Sequence, residues 1–270
     1  MEMDLEAYYR RIGIAPVAPD LAGLTALHRA QAYAIPYEGL DVQFGQWLDL
    51  DPARIFDKLV RRGRGGWCYE NNGLLGWALA EAGFDVMRVT AGVHRKLRGD
   101  GIIGNHLTLI VTLPEGRYLC DLGLGDGLRA PIPLEEGVHH DGPLTFQLER
   151  LDDGYWRFWN TPGAEPATFD FRDEPADEER FEILCHRLQT DPESHFILNA
   201  ECVRMYPERT VTLLGRVLRR SGPEGLQKTL LNAPEEMAAV LAQEFGITGL
   251  DTAKIWPRIL ARHTQLFGDT

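Results

Sequence analysis

The spacing of apolar residues predicts that the first third of the chain is mainly helical. Between residues 5 and 27 the apolar side chains recur every three or four positions, which is typical of short amphipathic helices. Pro16 and Pro19 separate these helices. A further helix is predicted from Pro52 to Leu59, and another after residue 68, where apolar residues again recur at helical spacing until Gly83 ends the segment. Residues 35–42 contain a proline and a glycine, so an extended turn is expected there.

From Val86 onward the pattern changes to short β-rich segments separated by Gly, Pro and Asp-Gly turns. The pattern predicts that the middle third of the chain forms an antiparallel sheet or a small barrel. The predicted strands are Val86–Val93, His106–Leu113, Arg117–Leu122, Leu144–Leu151 and Tyr155–Asn160.

The last part of the chain mixes both patterns. Helices are predicted at Arg180–Gln189, Pro223–Leu231 and Pro234–Phe245, with mixed strand and helix signals around residues 211–218. The sequence therefore predicts an α+β protein with three regions: a helical region over residues 1–84, a β region over 85–190 and an α/β region over 191–270.

Composition and charge narrow the classes of function. The chain has 270 residues, 44% of them hydrophobic, and no apolar run approaches the roughly 20 residues that span a bilayer. The first residues are acidic, unlike a secretory signal, so a cytoplasmic location is expected. The net charge of −12 argues against a nucleic-acid or anionic-membrane surface. The cysteines show no close pairing and are expected to be free thiols.

Cys68 is the strongest candidate for a reactive group. Gly65 and Gly66 precede it and place it in what the pattern indicates is the first turn of a helix, where unpaired N–H groups and the helix dipole favour a thiolate. A lone cysteine after glycines is more often a buried packing residue. The interpretation therefore depends on the residues that accompany it.

Two further residues complete a possible nucleophile, base and acid. His106 opens one predicted strand and Asp121 lies at the end of the next, and strands joined by a hairpin are neighbours. Asp121 could then hold the imidazole in one tautomer while the imidazolium lowers the pKa of Cys68 by ~2 units, worth about 2.7 kcal/mol. Taken singly, His106 could be a core histidine and Asp121 a turn carboxylate.

Other polar residues favour structural interpretations. Glu70 is expected to support the loop before the helix, Arg64 to pair with Glu38 or Glu70, and Cys120 to be packed. His139 and its neighbours suit a polar loop better than a metal site, so no metal is expected. The Gly-rich segment 123–127 lacks the helix that a dinucleotide loop requires.

These motifs, taken together, resemble the arylamine N-acetyltransferases. The segment Arg64-Gly65-Gly66-Trp67-Cys68-Tyr69-Glu70-Asn71-Asn72 is similar to the family's Arg-Gly-Gly-x-Cys-x-Glu-x-Asn signature, and residues 8–13, 35–41, His106 and 121–125 match further family marks in order. The resemblance implies a helical bundle, a β-barrel and an α/β lid around a cysteine-protease-like triad of Cys68, His106 and Asp121.

The resemblance also implies a reaction. The cysteine would take an acetyl group from acetyl-CoA and pass it, by a ping-pong mechanism, to an arylamine, arylhydrazine or N-arylhydroxylamine, as in xenobiotic metabolism. Coenzyme A and a small aromatic acceptor are the implied partners, and no assignment of oligomeric state follows. Residues implied to contact substrate or cofactor are Tyr37, Tyr69, Gly123, Leu124, Gly125, Ser194 and Phe196.

The chain departs from the family pattern near the implied acceptor pocket. Tyr37 stands where phenylalanine is usual, Gly39 where asparagine is usual, and Leu124 where an aromatic residue is common. Three other functions remain open from the sequence: an amide synthase that uses a carrier-bound acyl thioester, a cysteine hydrolase, and a binding module without activity. The physiological acceptor, the acyl-chain preference and the residues that hold the CoA phosphates are not assigned.

Overall fold

The computed structural model describes residues 3–268 of the chain. Its α-helices are α1 Leu5–Ile12, α2 Leu21–Ala34, α3 Leu40–Gln43, α4 Pro52–Phe56, α5 Cys68–Glu81, α6 Arg95–Arg98, α7 Glu178–Thr190, α8 His195–Leu198, α9 Pro234–Phe245 and α10 Thr252–Phe267. A π-helical turn, Asp57–Arg61, continues α4, and a 3₁₀ turn, Asp100–Ile102, follows α6.

The strands fall into two antiparallel sheets. They are β1 Tyr37–Glu38, β2 Asp85–Val93, β3 His106–Leu113, β4 Gly116–Cys120, β5 Ile132–Pro133, β6 Gly137–Asp141, β7 Leu144–Arg150, β8 Trp156–Trp159, β9 Thr168–Phe171, β10 Glu201–Met205, β11 Thr210–Leu214, β12 Val217–Gly222 and β13 Gly225–Leu230.

The larger sheet has eight strands in the order β5-β4-β3-β2-β9-β8-β7-β6. Its two edge strands, β5 and β6, are consecutive in sequence and only a few residues apart, so the chain itself holds the two edges close together. The sheet is therefore a nearly closed antiparallel barrel, and the protein has the α+β fold that the sequence predicts. Aromatic side chains fill the barrel interior, with Phe158 and Phe169 stacked at 4.8 Å between ring centroids.

The smaller sheet has the order β1-β10-β11-β12-β13, so it connects the first third of the chain with the last third. In it Tyr37 of β1 lies opposite Val203 of β10, and the neighbouring Glu38 lies opposite Cys202. Tyr37 also forms an isolated parallel bridge with Gly66. This sheet therefore connects the last part of the chain directly to the loop that precedes α5.

Some of the helices begin where the side chain of a capping residue accepts a hydrogen bond from a free N–H group. Asp20 caps α2 by accepting from Gly23, and Asp177 caps α7 by accepting from Arg180. The helix predicted from Pro52 is present but changes to π-helical geometry after Phe56. Residues 35–42, expected to be an extended turn, instead form β1 and the short α3.

The helix predicted at Pro223–Leu231 is wrong, because these residues form the hairpin of β12 and β13. Gly222 pairs with Gly225, which leaves Pro223 and Glu224 as a two-residue turn. Gly225 has φ +92°, a conformation that glycine adopts easily. Pro223 is a favoured first helical residue but also a favoured turn residue, and in the structure it starts the turn. All residues of β13 are exposed, so the apolar residues that are spaced as in a helix form no buried face.

We expect Phe169→Ala to lower the free energy of unfolding by about 3 to 5 kcal/mol, because Phe169 is fully buried in the barrel and its loss leaves a cavity. Its ring also lies 5.0 Å from that of His106. Urea unfolding measures the change. Leu226→Ala is the control, since Leu226 is 56% exposed, and it should alter stability by less than about 0.5 kcal/mol. Equal effects of both changes would contradict the assigned core.

Candidate active site

Two glycines allow the loop before α5 to pack against β1 and α5 itself. A Cβ atom on Gly65 would lie 2.3 Å from the carbonyl oxygen of Pro36, and one on Gly66 would lie 2.6 Å from Cβ of Glu70. No side chain fits at either position. Helix α5 then begins at Cys68, as the sequence predicts.

A cluster of buried charges lies behind this loop. Arg64 Nη2 contacts Glu38 at 2.6 Å and Asp41 at 2.8 Å, while Lys58 Nζ contacts Asp41 and Glu70, each at 2.9 Å. The pairing of Arg64 with Glu38 is confirmed, whereas the alternative partner Glu70 is bound to Lys58 instead.

Glu70 supports the loop, which confirms its predicted structural role. Its Oε2 atom accepts a hydrogen bond from the backbone N–H of Trp67 at 3.2 Å as well as from Lys58. Burial raises the pKa of Glu70 to about 7, although Lys58 acts in the opposite direction. The main chain of Trp67, the residue before Cys68, is therefore held by the Glu70 side chain of α5.

His106 and Asp121 meet at the end of the β3–β4 hairpin. Strand β3 begins at His106 and β4 ends at Cys120, so Asp121 is the first residue beyond its strand. His106 Nε2 lies 2.7 Å from Asp121 Oδ2, and both side chains are 1% exposed or less. The adjacency expected from the hairpin is confirmed.

Asp121 remains ionised despite its burial. Burial acts to raise its pKa, but the net shift is downward because of the His106 charge and hydrogen bonds from His106, Thr108 and the N–H of Gly123. The Gly123 bond to Oδ1 is 2.8 Å long. Both carboxylate oxygens are thus held, one by the imidazole and one by the backbone.

Cys68 packs against the same turn. A Cβ atom on Gly123 would lie 2.7 Å from Cβ of Cys68 and 2.8 Å from Cε1 of His106, so both side chains contact this glycine. The Cys68 sulfur also lies 3.7 Å from the carbonyl oxygen of Asn105, the residue before His106. The structure therefore brings Cys68, His106 and Asp121 around Gly123.

The environment of the thiol differs from the sequence-based expectation of a lowered pKa. Burial raises the pKa of the Cys68 thiol, and the Asp121 carboxylate acts in the same direction. Cys68 is only 4% exposed, so water cannot stabilise a thiolate there. A thiolate at Cys68 requires a cation beside it, and the imidazole of His106 is the group placed to become one.

Asn72 and His28 are two positioning residues that the sequence did not reveal. Asn72 lies one helical turn after Cys68, donates from Nδ2 to the carbonyl of Leu107 at 2.5 Å and accepts from the N–H of Leu122 at 2.7 Å. It thereby joins α5 to the residues next to His106 and Asp121. Its i, i+4 spacing from Cys68 is the signal that could have identified it.

His28 of α2 fixes the main chain at Asp121. Its Nε2 accepts a hydrogen bond from the backbone N–H of Asp121 at 3.2 Å, and its side chain is fully buried. Burial lowers the pKa of His28 to about 4, so the ring is neutral near pH 7. No pattern in the sequence indicates this contact, which joins residues 93 positions apart.

Two of the other residues implied by the resemblance pack against segments next to the triad. A Cβ atom on Gly125 would lie 3.4 Å from Cδ1 of Tyr37, and the ring of Phe196 packs edge-on against that of Trp67, with 4.9 Å between the ring centroids. Gly39 permits the position of Phe196, because a Cβ there would lie 2.7 Å from its ring.

Three more of these residues are held in the surrounding framework. Tyr69 donates to the carbonyl of Gly104 at 2.5 Å, and Ser194 donates to that of Leu188 at 2.6 Å. Leu124 is buried with the aromatic residues of the barrel. Their roles as contacts of substrate or cofactor stay predictions.

Across residues 3–268, no group of three or more His, Cys, Asp or Glu side chains is arranged to hold a metal ion. In the same part of the chain no helix is both long and apolar enough to cross a bilayer.

Comparison with known proteins defines the class. A family model described as N-acetyltransferase matches residues 20–255. The chain is 33% identical to an arylamine N-acetyltransferase of Mycolicibacterium smegmatis over 92% of this chain and 93% of that protein. It is 32% identical to the pineal gland isozyme NAT-3 of Gallus gallus, covering 91% and 94% respectively.

Solved structures agree with this comparison. The fold matches the arylamine N-acetyltransferase of Mycobacterium marinum, solved in complex with CoA, with a TM-score of 0.86, 30% identity and coverage of 95% of this chain and 98% of that one. The protein is thus an acyltransferase enzyme. More specifically, the chain belongs to the arylamine N-acetyltransferase family.

We expect the neutral His28 to make the protein sensitive to acid. Between pH 6.5 and about 4 the unfolded chain binds a proton at this position that the folded protein does not, so the free energy of unfolding falls as pH falls. The loss over this window is about 3 kcal/mol. In His28→Gln the fall should be smaller by about that amount, measured by urea unfolding at pH 7 and pH 4.5.

His140→Gln serves as the control, because His140 is exposed, and it should leave the pH dependence unchanged. An equally steep fall in stability for His28→Gln and the parent protein would show that His28 does not titrate in this way.

Proposed function

We propose that this protein is an acetyl-CoA-dependent arylamine N-acetyltransferase that works through an acetylated Cys68, with His106 as the base and Asp121 as its partner. The observation that carries the proposal is the 2.7 Å contact between His106 Nε2 and Asp121 Oδ2 beside the glycine that Cys68 also contacts. A buried thiol, an imidazole and a carboxylate in this order are the parts that cysteine acyl transfer requires.

The orientation of the imidazole assigns a task to each nitrogen. Nε2 faces Asp121, so Nδ1 is the nitrogen left to exchange a proton with the Cys68 sulfur. When the proton moves from sulfur to Nδ1, the two new charges form an ion pair, and Asp121 stabilises the imidazolium. This transfer offsets the effect of burial, which alone keeps the thiol protonated.

The first half of the reaction transfers the acetyl group to the enzyme. The thiolate of Cys68 attacks the carbonyl carbon of the acetyl thioester, and the bond from that carbon to the sulfur of CoA breaks. The imidazolium of His106 gives its proton to the CoA thiolate, which leaves as the free thiol, so His106 is neutral again before the second half. One thioester replaces another, so this step is nearly balanced in energy. Backbone N–H groups at the start of α5 are proposed to stabilise the negative oxygen that forms during the attack.

In the second half an aromatic amine or hydrazine attacks the acetylated cysteine. His106 takes the proton that the nitrogen loses, and Cys68 leaves as the thiolate. Arylamines, arylhydrazines and N-arylhydroxylamines are the proposed acceptors. Tyr37, Tyr69, Phe196 and the segment Gly123-Leu124-Gly125 are proposed to shape the acceptor and pantetheine side of the site, with Ser194 beside them.

The location and the partners of the enzyme are also proposed. A cytoplasmic location is proposed, in keeping with four free cysteines, Cys68, Cys120, Cys185 and Cys202, all of them buried. Coenzyme A and the small acceptor are its proposed partners.

We expect Cys68→Ala to abolish acetyl transfer, because it removes the sulfur that is proposed to carry the acetyl group. Release of free CoA from acetyl-CoA in the presence of an arylhydrazine measures the reaction. Cys202→Ala, which removes a different buried thiol from β10, is the matched control and should retain transfer. CoA release by the Cys68→Ala protein at the parent rate would end the proposal.

The rate at which the acetylated enzyme decays separates transfer from hydrolysis. We expect the acetylated enzyme to decay slowly in water and quickly once the amine is added. Decay at one rate with and without amine would identify a cysteine hydrolase, and activity only with carrier-bound thioesters would identify an amide synthase.

We expect alkylation of Cys68 by iodoacetamide to stay fast well below pH 8, because His106 accepts the thiol proton. In His106→Gln that acceptor is lost while burial remains, so the midpoint should rise above the ordinary thiol pKa of 9.0. The measurement is the rate of alkylation against pH, followed at the peptide that contains Cys68. The exposed His186 provides a control through His186→Gln. An unchanged midpoint in His106→Gln would exclude an ion pair.

A further inference from the structure

The side chain of Tyr37 carries a hydroxyl group and packs against the turn that also contacts the candidate nucleophile. Tyr37 is half-buried, and its neighbour Glu38 is bound to Arg64 in the charge cluster. Successive residues of a strand point to opposite faces, so Tyr37 points away from that cluster. Its ring contacts the Gly123–Gly125 turn, which also contacts Cys68 and His106.

The main chain of Tyr37 is held on two sides, and its ring packs against the Gly123–Gly125 turn. Tyr37 pairs with Val203 of β10 and bridges to Gly66, two residues before Cys68. A Cβ atom on Gly125 would lie 3.1 Å from Val203 and 3.4 Å from Cδ1 of Tyr37, so the turn packs tightly against both. A side chain held in this way loses little freedom when it forms a further hydrogen bond.

The hydroxyl of Tyr37 makes no hydrogen bond with any residue in the range 3–268. Other tyrosines of the protein use theirs: Tyr8 donates to Gln31 at 2.6 Å, and Tyr206 donates to the carbonyl of Glu244 at 2.7 Å. A half-buried phenol without a partner is an available donor.

The electrostatic surroundings keep this donor protonated. Burial raises the pKa of Tyr37, and of the ionisable groups around it Cys68 acts most strongly, ahead of Glu201, Asp121 and Glu70. The phenol therefore keeps its proton at any pH at which the enzyme works, and it can donate a hydrogen bond throughout the reaction.

We propose that the Tyr37 hydroxyl donates a hydrogen bond to the carbonyl oxygen of the acetyl group on Cys68, and that it is a further catalytic residue of this enzyme. The inference rests on the proposed acetylation of Cys68. The amine nitrogen bonds to the carbonyl carbon, the carbon–sulfur bond breaks, and His106 takes the amine proton. The phenol keeps its own proton and stabilises the negative charge that develops on oxygen.

Tyr37→Phe tests this role, since it removes one oxygen atom and leaves the ring. We expect acetylation of Cys68 by p-nitrophenyl acetate and its later deacetylation both to slow about 10-fold or more, because removal of one such donor commonly costs 10²–10³ and Tyr37 supplements backbone donors. Hydrolysis by water and transfer to an amine should slow by the same factor, with the KM of the amine little changed.

Tyr33→Phe is the matched control, because Tyr33 is also half-buried but lies on α2, and it should leave every rate unchanged. Urea unfolding should show equal stability for both variants and the parent protein.

Two outcomes would overturn the inference. Rates in Tyr37→Phe equal to those of the parent protein would show that the hydroxyl is not used. A loss restricted to acceptors that carry a polar ring substituent, with normal hydrolysis, would assign the hydroxyl to acceptor binding instead. A burst of p-nitrophenol from Cys68→Ala would instead refute the proposed function, so the two failures are distinguishable.

Discussion

The contact between His106 and Asp121 is the interaction on which the rest of the site depends. An ionised carboxylate is costly to bury, and Asp121 remains ionised because the imidazole, Thr108 and the N–H of Gly123 surround it. The same contact leaves only one nitrogen of His106 free to face the sulfur. Burial of the thiol makes this arrangement necessary, because a thiolate that is shielded from water needs a cation next to it.

The first third of the chain holds this contact in place. His28 and Asn72, from α2 and α5, bind the main chain at Asp121 and Leu122, so the helical part of the protein positions the end of the β3–β4 hairpin. Behind the cysteine, Lys58 and Arg64 form ion pairs with three buried carboxyl groups and thereby hold the loop of Gly65 and Gly66 against β1. The division of the chain into three regions at residues 84 and 190 stays a prediction. Strand β1 of the first region pairs directly with β10 of the third.

Much of this architecture was predictable from local patterns. Alternation and turn residues located the hairpin that joins His106 to Asp121, and the glycines before Cys68 located the start of α5. The hairpin of β12 and β13 was missed because Pro223 favours both a first helical residue and a turn, and only pairing with β12 decides between them. The contact of His28 joins residues 93 positions apart, so no local pattern could reveal it, whereas Asn72 has a local signal in its i, i+4 spacing from Cys68. The raised pKa of Cys68 was missed because it depends on burial in three dimensions.

Passage of the acetyl group through the sulfur of Cys68 can be measured by mass spectrometry of the protein after incubation with acetyl-CoA and no acceptor, followed by digestion and mapping. We expect one added acetyl group, on the peptide that contains Cys68, which disappears when an arylamine is added. Continued formation of acetylated amine with no acetyl group detected on Cys68, even when the reaction is stopped within a single turnover, would show that the cysteine does not carry the group.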